Sequence, residues 1–279
     1  MRERAVDTPT GALAAFSAGR PDLPRILFVN AVGMRATLLD PLAAALAAAG
    51  FDLLTWELRG SPGGSDPRGL SLADHVADGL AVLDAYRADT AHLAGWCTGA
   101  SIAAALVRAA PARALSLVSV DGAFLFDGVP SAALGDAVYE MCAEIEADEG
   151  RGEFYHEVTR PRGTGGAVLG IADDPALVDH LSLPYRQGVD GLVRYAFTLR
   201  SVVRDYDARG VLSGLSVPAL FTAQRDDRLV TFKDSERAAA LIPGARLELA
   251  DSGGHYALFQ SPDAARPLAA FLRGISRAR

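Results

Sequence analysis

The chain has 279 residues, half of them hydrophobic and 22% charged, enough for a large buried core, which excludes a disordered chain, collagen and a disulfide-stapled miniprotein. A net charge of −7 with no basic run lacks the footprint of a nucleic-acid binder, and two cysteines, Cys97 and Cys142, are too few for a disulfide framework or a paired-cysteine zinc site. The first residues mix charges with no apolar run behind them, and the longest apolar stretch, Pro41 to Phe51, is about half a membrane span, so a cytoplasmic protein without a membrane or nucleic-acid partner is expected.

From the N-terminus onward, Ala5 to Ala18 reads as an antiparallel hairpin at a sheet edge. Arg25-Ile-Leu-Phe-Val-Asn30 is the clearest strand, with four apolar residues in a row and so buried on both faces. Leu38 to Ala49 has helical spacing, followed by a strand at Phe51 to Glu57. A helix is expected over Ser71 to Tyr86, opened by the capping-box pattern Ser71-Leu-Ala-Asp74. Strand Ala91 to Gly95, helix Ser101 to Ala110 and strand Leu115 to Val120 follow. After a long interval come strand Val217 to Ala223, helix Phe232 to Leu241, strand Arg246 to Ala250 and helix Pro262 to Arg273. Short apolar runs alternating with helical patterns predict an α/β protein with a mostly parallel central sheet flanked by helices.

The interval from Gly122 to Leu215 contains no buried strand. Ala132 to Asp148 is amphipathic, Val189 to Val203 places Leu192, Tyr195, Ala196 and Leu199 on one side, and Arg162-Gly-Thr-Gly-Gly166 between them reads as a turn. About ninety residues inserted between two strands of one sheet predict a helical lid rather than a linker. The expected organisation is therefore a core of residues 1–121 and 216–279 with a lid subdomain over 122–215.

Gly95-Trp-Cys-Thr-Gly99 lies directly between a predicted strand and a small-residue helix. In that context a G-x-nucleophile-x-G turn holds its central side chain alone above the sheet, and the flanking glycines avoid collision with the neighbouring strand and helix. The amides at the helix N-terminus favour a developing anion and the thiolate of Cys97. Downstream, Ala250-Asp-Ser-Gly-Gly-His-Tyr256 places His255 on a glycine turn at the sheet's carboxyl end, suited to a general base. His75, His92, His156 and His180 have no such turn. Two acids, Asp226 and Asp227, close the preceding strand, and an acid there orients and stabilises the imidazole.

With Cys97, Asp227 and His255 in that chain order, the sequence resembles the α/β-hydrolase superfamily over nearly its whole length apart from the lid. Val29-Asn-Ala-Val-Gly33 stands where the family usually has a His-Gly oxyanion motif, and Leu58-Arg-Gly-Ser-Pro-Gly-Gly-Ser65 resembles the loop after the fourth strand. Gly95 to Gly99 is the elbow; Asp227-Arg-Leu-Val230 with Gly254-His255 completes the triad. The resemblance implies the α/β-hydrolase fold, and its register selects Asp227 over Asp226, which is left as a solvated or turn-forming loop acid. It also assigns the oxyanion hole, by position, to the backbone amides of Val32 and Thr98. Asp121, at the strand end before the lid, is given a structural role. Two departures stand out: cysteine in place of the usual serine, and Asn30-Ala31 in place of His-Gly.

A cysteine elbow implies a thioester acyl-enzyme. The nearest cysteine users of the family are thioesterases and acyltransferases of specialised metabolism, and an alanine- and arginine-rich composition points to a bacterial one. The expected substrate is a small acyl ester or thioester, free or carried on CoA or a carrier protein. Met34, Trp96, Phe124, Tyr139 and Tyr256 flank the inferred site and are expected to line an aromatic pocket. No phosphate loop, metal cluster or flavin signature is present, so no cofactor or metal is expected. The alternatives are a lyase of the same fold that eliminates an acyloxy group with histidine as base, a plain carboxylesterase, and a ligand-binding protein without catalysis.

Overall fold

The computed structural model describes residues 1–61, 65–127, 132–159, 175–260 and 262–277. Eight strands form one sheet: β1 (Arg2–Val6), β2 (Leu13–Ser17), β3 (Arg25–Val29), β4 (Asp52–Trp56), β5 (Ala91–Trp96), β6 (Ala114–Val120), β7 (Ala219–Gln224) and β8 (Arg246–Ala250). Their spatial order is β1-β2-β4-β3-β5-β6-β7-β8. β1 and β2 are antiparallel to each other, β2 is antiparallel to β4, and all pairings from β4 onward are parallel. The expected edge hairpin is thus present, and the family's mostly parallel sheet flanked by helices is the fold.

Residues of the central strands alternate between two cores, one on each face. From β3, Ile26 and Phe28 enter one core with Ala94, Val118 and Leu220, while Leu27 and Val29 enter the other with Leu93, Leu117 and Phe221. This period of two, with both faces covered, is why β3 reads as an unbroken apolar run. α1 (Asp40–Ala48) and the C-terminal helix Arg266–Arg277 cover the first face. α2 (Leu72–Ala85) and α3 (Thr98–Ala109) cover the second. In α2 the anticipated cap is made: Asp74 Oδ2 accepts from the Ser71 backbone N–H at 2.8 Å.

Two helices start later than their spacing predicts, each for the same reason. Residues Ala36–Leu39 form a separate 3₁₀ turn before α1, and Pro262–Ala265 form one before the last helix. Pro41 and Pro267 then fall in the first turns of the α-helices proper, where a missing N–H costs nothing.

Between β6 and β7 lie the helices Ala133–Ala147 (α4), Arg151–Thr159 (α5), Pro175–Leu181, Leu183–Arg186, Gly188–Val203 and Ala208–Leu212. The amphipathic pattern of Val189 to Val203 is realised: Leu192, Val193, Ala196, Leu199 and Val202 are buried. The expected turn Arg162–Gly166 lies outside the described residues. Among the described residues no helix is long and apolar enough to cross a membrane.

One buried ion pair anchors the edge hairpin. Arg59, 2% exposed, makes a two-pronged pair with fully buried Asp78 of α2, both contacts at 2.8 Å. The same guanidinium donates to the carbonyls of Thr10 and Gly11 in the hairpin turn at 3.0 and 3.1 Å. Removing one partner strands the other's charge in the interior. Arg59→Ala should therefore cost about 3–5 kcal/mol in denaturant unfolding. An apolar replacement of both members should recover much of that loss. A single-variant loss no larger than that of a surface ion pair would contradict this role.

Candidate active site

β5 runs into α3 with one residue between them, Cys97, whose backbone takes φ 55° and ψ −125°. Such a φ is strained for a residue with a side chain, and its neighbours hold it. The Cys97 N–H donates to the Val120 carbonyl at 3.0 Å, and the Cys97 carbonyl accepts from Ala100 and Ala123 at 3.0 and 3.1 Å. The flanking glycines are required by close approach. A Cβ on Gly95 would lie 2.3 Å from the Gly99 carbonyl oxygen, and one on Gly99 would lie 2.2 Å from that of Val29. The turn leaves Cys97 part-exposed above the sheet, at the amide end of α3.

His255 arrives on the loop after β8. Asp226, two residues beyond β7, accepts from the N–H groups of Gly253 and Gly254 at 3.2 and 2.9 Å and so fixes that loop. Asp227 contacts the ring itself: its Oδ2 lies 2.7 Å from His255 Nδ1, while its Oδ1 accepts from Leu229 and Val230 at 2.7 and 2.9 Å. From below, Trp96 Nε1 donates to the His255 carbonyl at 3.1 Å, and the two rings pack at a tilt of 38° with a centroid distance of 5.2 Å. Burial of His255 opposes its charged form, yet negative charge on Cys97 and Asp227, with hydrogen bonds to both, outweighs it and holds the imidazole pKa well above its ordinary value. The arrangement can hold a proton on the imidazole between the Cys97 sulfur and Asp227.

The loop after β3 closes the other side. Asn30, in place of the usual histidine, is buried and bridges its own loop, accepting from Ala31 at 2.9 Å and donating to the Arg35 carbonyl at 3.0 Å. Glu57 accepts from the Ala36 N–H at 3.1 Å. The Val32 N–H donates to the Thr98 side-chain hydroxyl at 3.0 Å, so this candidate oxyanion donor already has a partner. Gly33, at φ +81°, lies flush against the helical insertion: a Cβ there would meet the Tyr195 ring at 2.6 Å and Pro184 at 2.8 Å.

Of the expected pocket residues, two lie elsewhere. Phe124 has no exposed surface and packs against Phe126 and Phe221 in the core. Trp96 is 1% exposed and wedged among His255, Tyr256 and Phe259, where it braces the histidine from beneath. An indole next to the elbow points down the strand because the elbow turns only its central side chain upward. Met34 and Tyr256 are nearly buried on the loops after β3 and β8, Tyr256 with its ring 5.2 Å from that of His255. Tyr139 is half-buried on α4. Gly135, one turn earlier, sits so close to the Leu229 carbonyl that a Cβ would be 2.1 Å from it, which aims this helix face at the Asp227 loop. Tyr185 and Tyr195 pack on each other at 5.9 Å. Burial first, and then neighbouring charges that include Cys97, push the hydroxyls of Tyr139, Tyr195 and Tyr256 up.

Sequence reasoning assigns no site role to Tyr185, Tyr195 or the Thr98 hydroxyl. A threonine directly after a nucleophile is the one signal that points to the hydroxyl. Asp121 ends β6 at φ 46°, 1% exposed, accepting from the Gln224 N–H at 3.1 Å and so tying β6 to β7. Burial drives its carboxyl up to about 7, His255 pulling it down and Asp227 up. Among the described residues no group of three His, Cys, Asp or Glu side chains is placed to hold a metal ion.

Known proteins share this architecture. The family model described as alpha/beta hydrolase fold matches residues 24–262. The chain is 28% identical over 243 residues to a protein of Variovorax paradoxus (strain S110) named as a candidate carbamate hydrolase, RutD, covering 85% of this chain and 86% of that one. It is 27% identical to epoxide hydrolase A of Mycobacterium tuberculosis, covering 98% of both chains. The crystal structure of the enol-lactonase from Burkholderia xenovorans LB400 superposes with a TM-score of 0.76 at 19% identity, over 97% of this chain and all of that one, a likeness of fold.

The state of Asp121 carries a pH signature. Its carboxyl is held above the range of an unfolded chain, so the folded state takes on the cost of a buried charge as pH rises from about 4 towards 7. Asp121→Asn keeps the acceptor for Gln224 and removes that charge. The melting temperature of the variant relative to the parent should therefore climb between about pH 4 and pH 7 and level off above that. A difference that is flat with pH would contradict the assignment.

Proposed function

The chain belongs to the alpha/beta hydrolase fold family, and from that premise we propose that it acts on an ester or thioester through a thioester acyl-enzyme on Cys97. The observation that carries this reading is the placement of His255, buried between Asp227 at 2.7 Å and the Cys97 sulfur, with its proton-bearing form favoured by both. In the forward step the Cys97 sulfur attacks the substrate carbonyl carbon, having given its proton to His255 Nε2, and the carbonyl electrons move onto oxygen. Collapse of this tetrahedral adduct re-forms the carbonyl and breaks the bond to the leaving group, which takes the proton from His255. Asp227 receives the Nδ1–H throughout and keeps the ring aligned. In the second half-reaction an acceptor nucleophile gives its proton to His255 and displaces the sulfur.

A cysteine elbow favours thioesterase or acyltransferase chemistry, because thioesters react readily with amines and thiols as well as with water. Residues 122–215 act in this reading as a lid. Tyr195 against Gly33 and the Gly135 contact with Leu229 bring it down on both loops that flank Cys97. The phenolic hydroxyls of Tyr139, Tyr195 and Tyr256, each close enough to feel the charge of Cys97, suit a small oxygenated acyl group, free or carried on CoA or a carrier protein, better than a long alkyl chain. The composition supports a cytoplasmic setting. A second reading, hydrolysis with water as the only acceptor, is favoured by the names of the relatives, which are hydrolases.

Turnover of short acyl thioesters by variants tests the proposal. Cys97→Ala should fall to the background rate, and Cys97→Ser should keep part of the activity because the hydroxyl can use the same base. Asp227→Asn should lose on the order of 10⁴ in kcat. Asp226→Asn, which loosens the loop without touching the ring, should lose far less. Full activity in Cys97→Ala would overturn the covalent mechanism. In product analysis with a primary amine present, an amide product supports acyl transfer, and free acid alone supports the hydrolytic reading.

A further inference from the structure

The oxyanion hole expected from the resemblance consists of two backbone amides, those of Val32 and Thr98. The structure complicates the first. The Val32 N–H donates at 3.0 Å to Thr98 Oγ1, in a contact buried from solvent. An N–H committed to one acceptor is a weak donor to another. The loop that carries Val32 is tied down on either side of it, by Asn30 to Arg35, by Glu57 to Ala36 and by Gly33 against Tyr195.

The hydroxyl, by contrast, is half used. A threonine hydroxyl accepts through its lone pairs and carries one O–H donor. Thr98 accepts from Val32, and no acceptor for its own O–H is found among the described residues. The residue is 3% exposed, so bulk water does not serve its hydroxyl freely. It belongs to the residue next to Cys97, at the first position of α3, where the N–H groups already converge on an incoming anion. An N–H aimed at the hydroxyl oxygen also polarises the O–H and makes it a better donor.

Resting on the covalent reading above, we propose that the Thr98 side-chain hydroxyl donates to the oxyanion in place of the Val32 amide, which acts one step back by positioning and polarising that hydroxyl. Residue 98 then supplies two donors, its own N–H and its O–H, and no proton is transferred in either contact.

The test compares two reactions of the same sulfur. Thioester or p-nitrophenyl ester acylation forms an oxyanion; alkylation of Cys97 by iodoacetamide displaces iodide at a saturated carbon and forms none. Thr98→Val removes the hydroxyl while keeping the shape and the backbone amide. It should lower kcat/KM for the ester about 10²-fold, the cost of one oxyanion donor, with the fall in kcat and not KM. The iodoacetamide rate should be unchanged, and Thr98→Ser should restore ester turnover. If Thr98→Val matches or exceeds the parent on ester, the Val32 amide freed by the substitution is the donor and the proposal fails. It fails equally if alkylation slows along with acylation, since the hydroxyl then only holds the elbow in place. Failure of the covalent reading is distinguished by Cys97→Ala: turnover retained there, whatever Thr98 does, removes the acyl-enzyme itself.

Discussion

The structure of the site rests on a contact with no room for a side chain. Gly95 and Gly99 bring the end of β5, the start of α3 and the end of β3 so close that a methyl group at either position would overlap backbone atoms. That approach forces the single intervening residue to φ 55°, a conformation that costs of order 1–3 kcal/mol for a residue with a side chain. The cost is offset by the buried helix α3 and the hydrogen bonds that lock the backbone of Cys97 from three sides. The strained turn lifts the sulfur clear of the sheet, at the amide end of a helix, with loops from β3, β7 and β8 gathered around it.

The second constraint is electrostatic. A histidine almost without solvent is costly to charge, and only partners on both of its sides make charging favourable. The two acids after β7 divide this task. Asp227 bonds the ring, and Asp226 bonds the glycine amides that shape the loop bearing the ring. Trp96 supplies the floor. Much of the site is thereby held by bonds to backbone groups. Tyr195, through its contact with Gly33, is where the insertion meets the candidate oxyanion loop.

Much of this site is legible in the sequence because it is local. The glycine spacing around Cys97, the strand before it and the small-residue helix after it are all within twenty residues, and the elbow's physics comes from them. The order Cys97, Asp227, His255 and the resemblance it carries point to the three groups that the fold brings together. The hidden part depends on contacts across the chain. Nothing near Thr98 in sequence indicates that its hydroxyl meets Val32, 66 positions away. Phe124 and Trp96 are near the site in sequence, and nearness does not say which way a ring points. Likewise, Asn30 reads as a substitution in an oxyanion motif, whereas its side chain serves to bridge its own loop.

The proposed chemistry depends on a covalent intermediate at one sulfur. Intact-protein mass measured within a single turnover after rapid quench, with an acyl thioester as substrate, should show the protein heavier by one acyl group, and peptide mapping should place it on Cys97. The adduct should accumulate further in Asp227→Asn if deacylation is slowed more than acylation, and be absent from Cys97→Ala. Turnover proceeding in the parent protein with no acyl mass at any quench time, or with the acyl group mapped to another side chain, would contradict it.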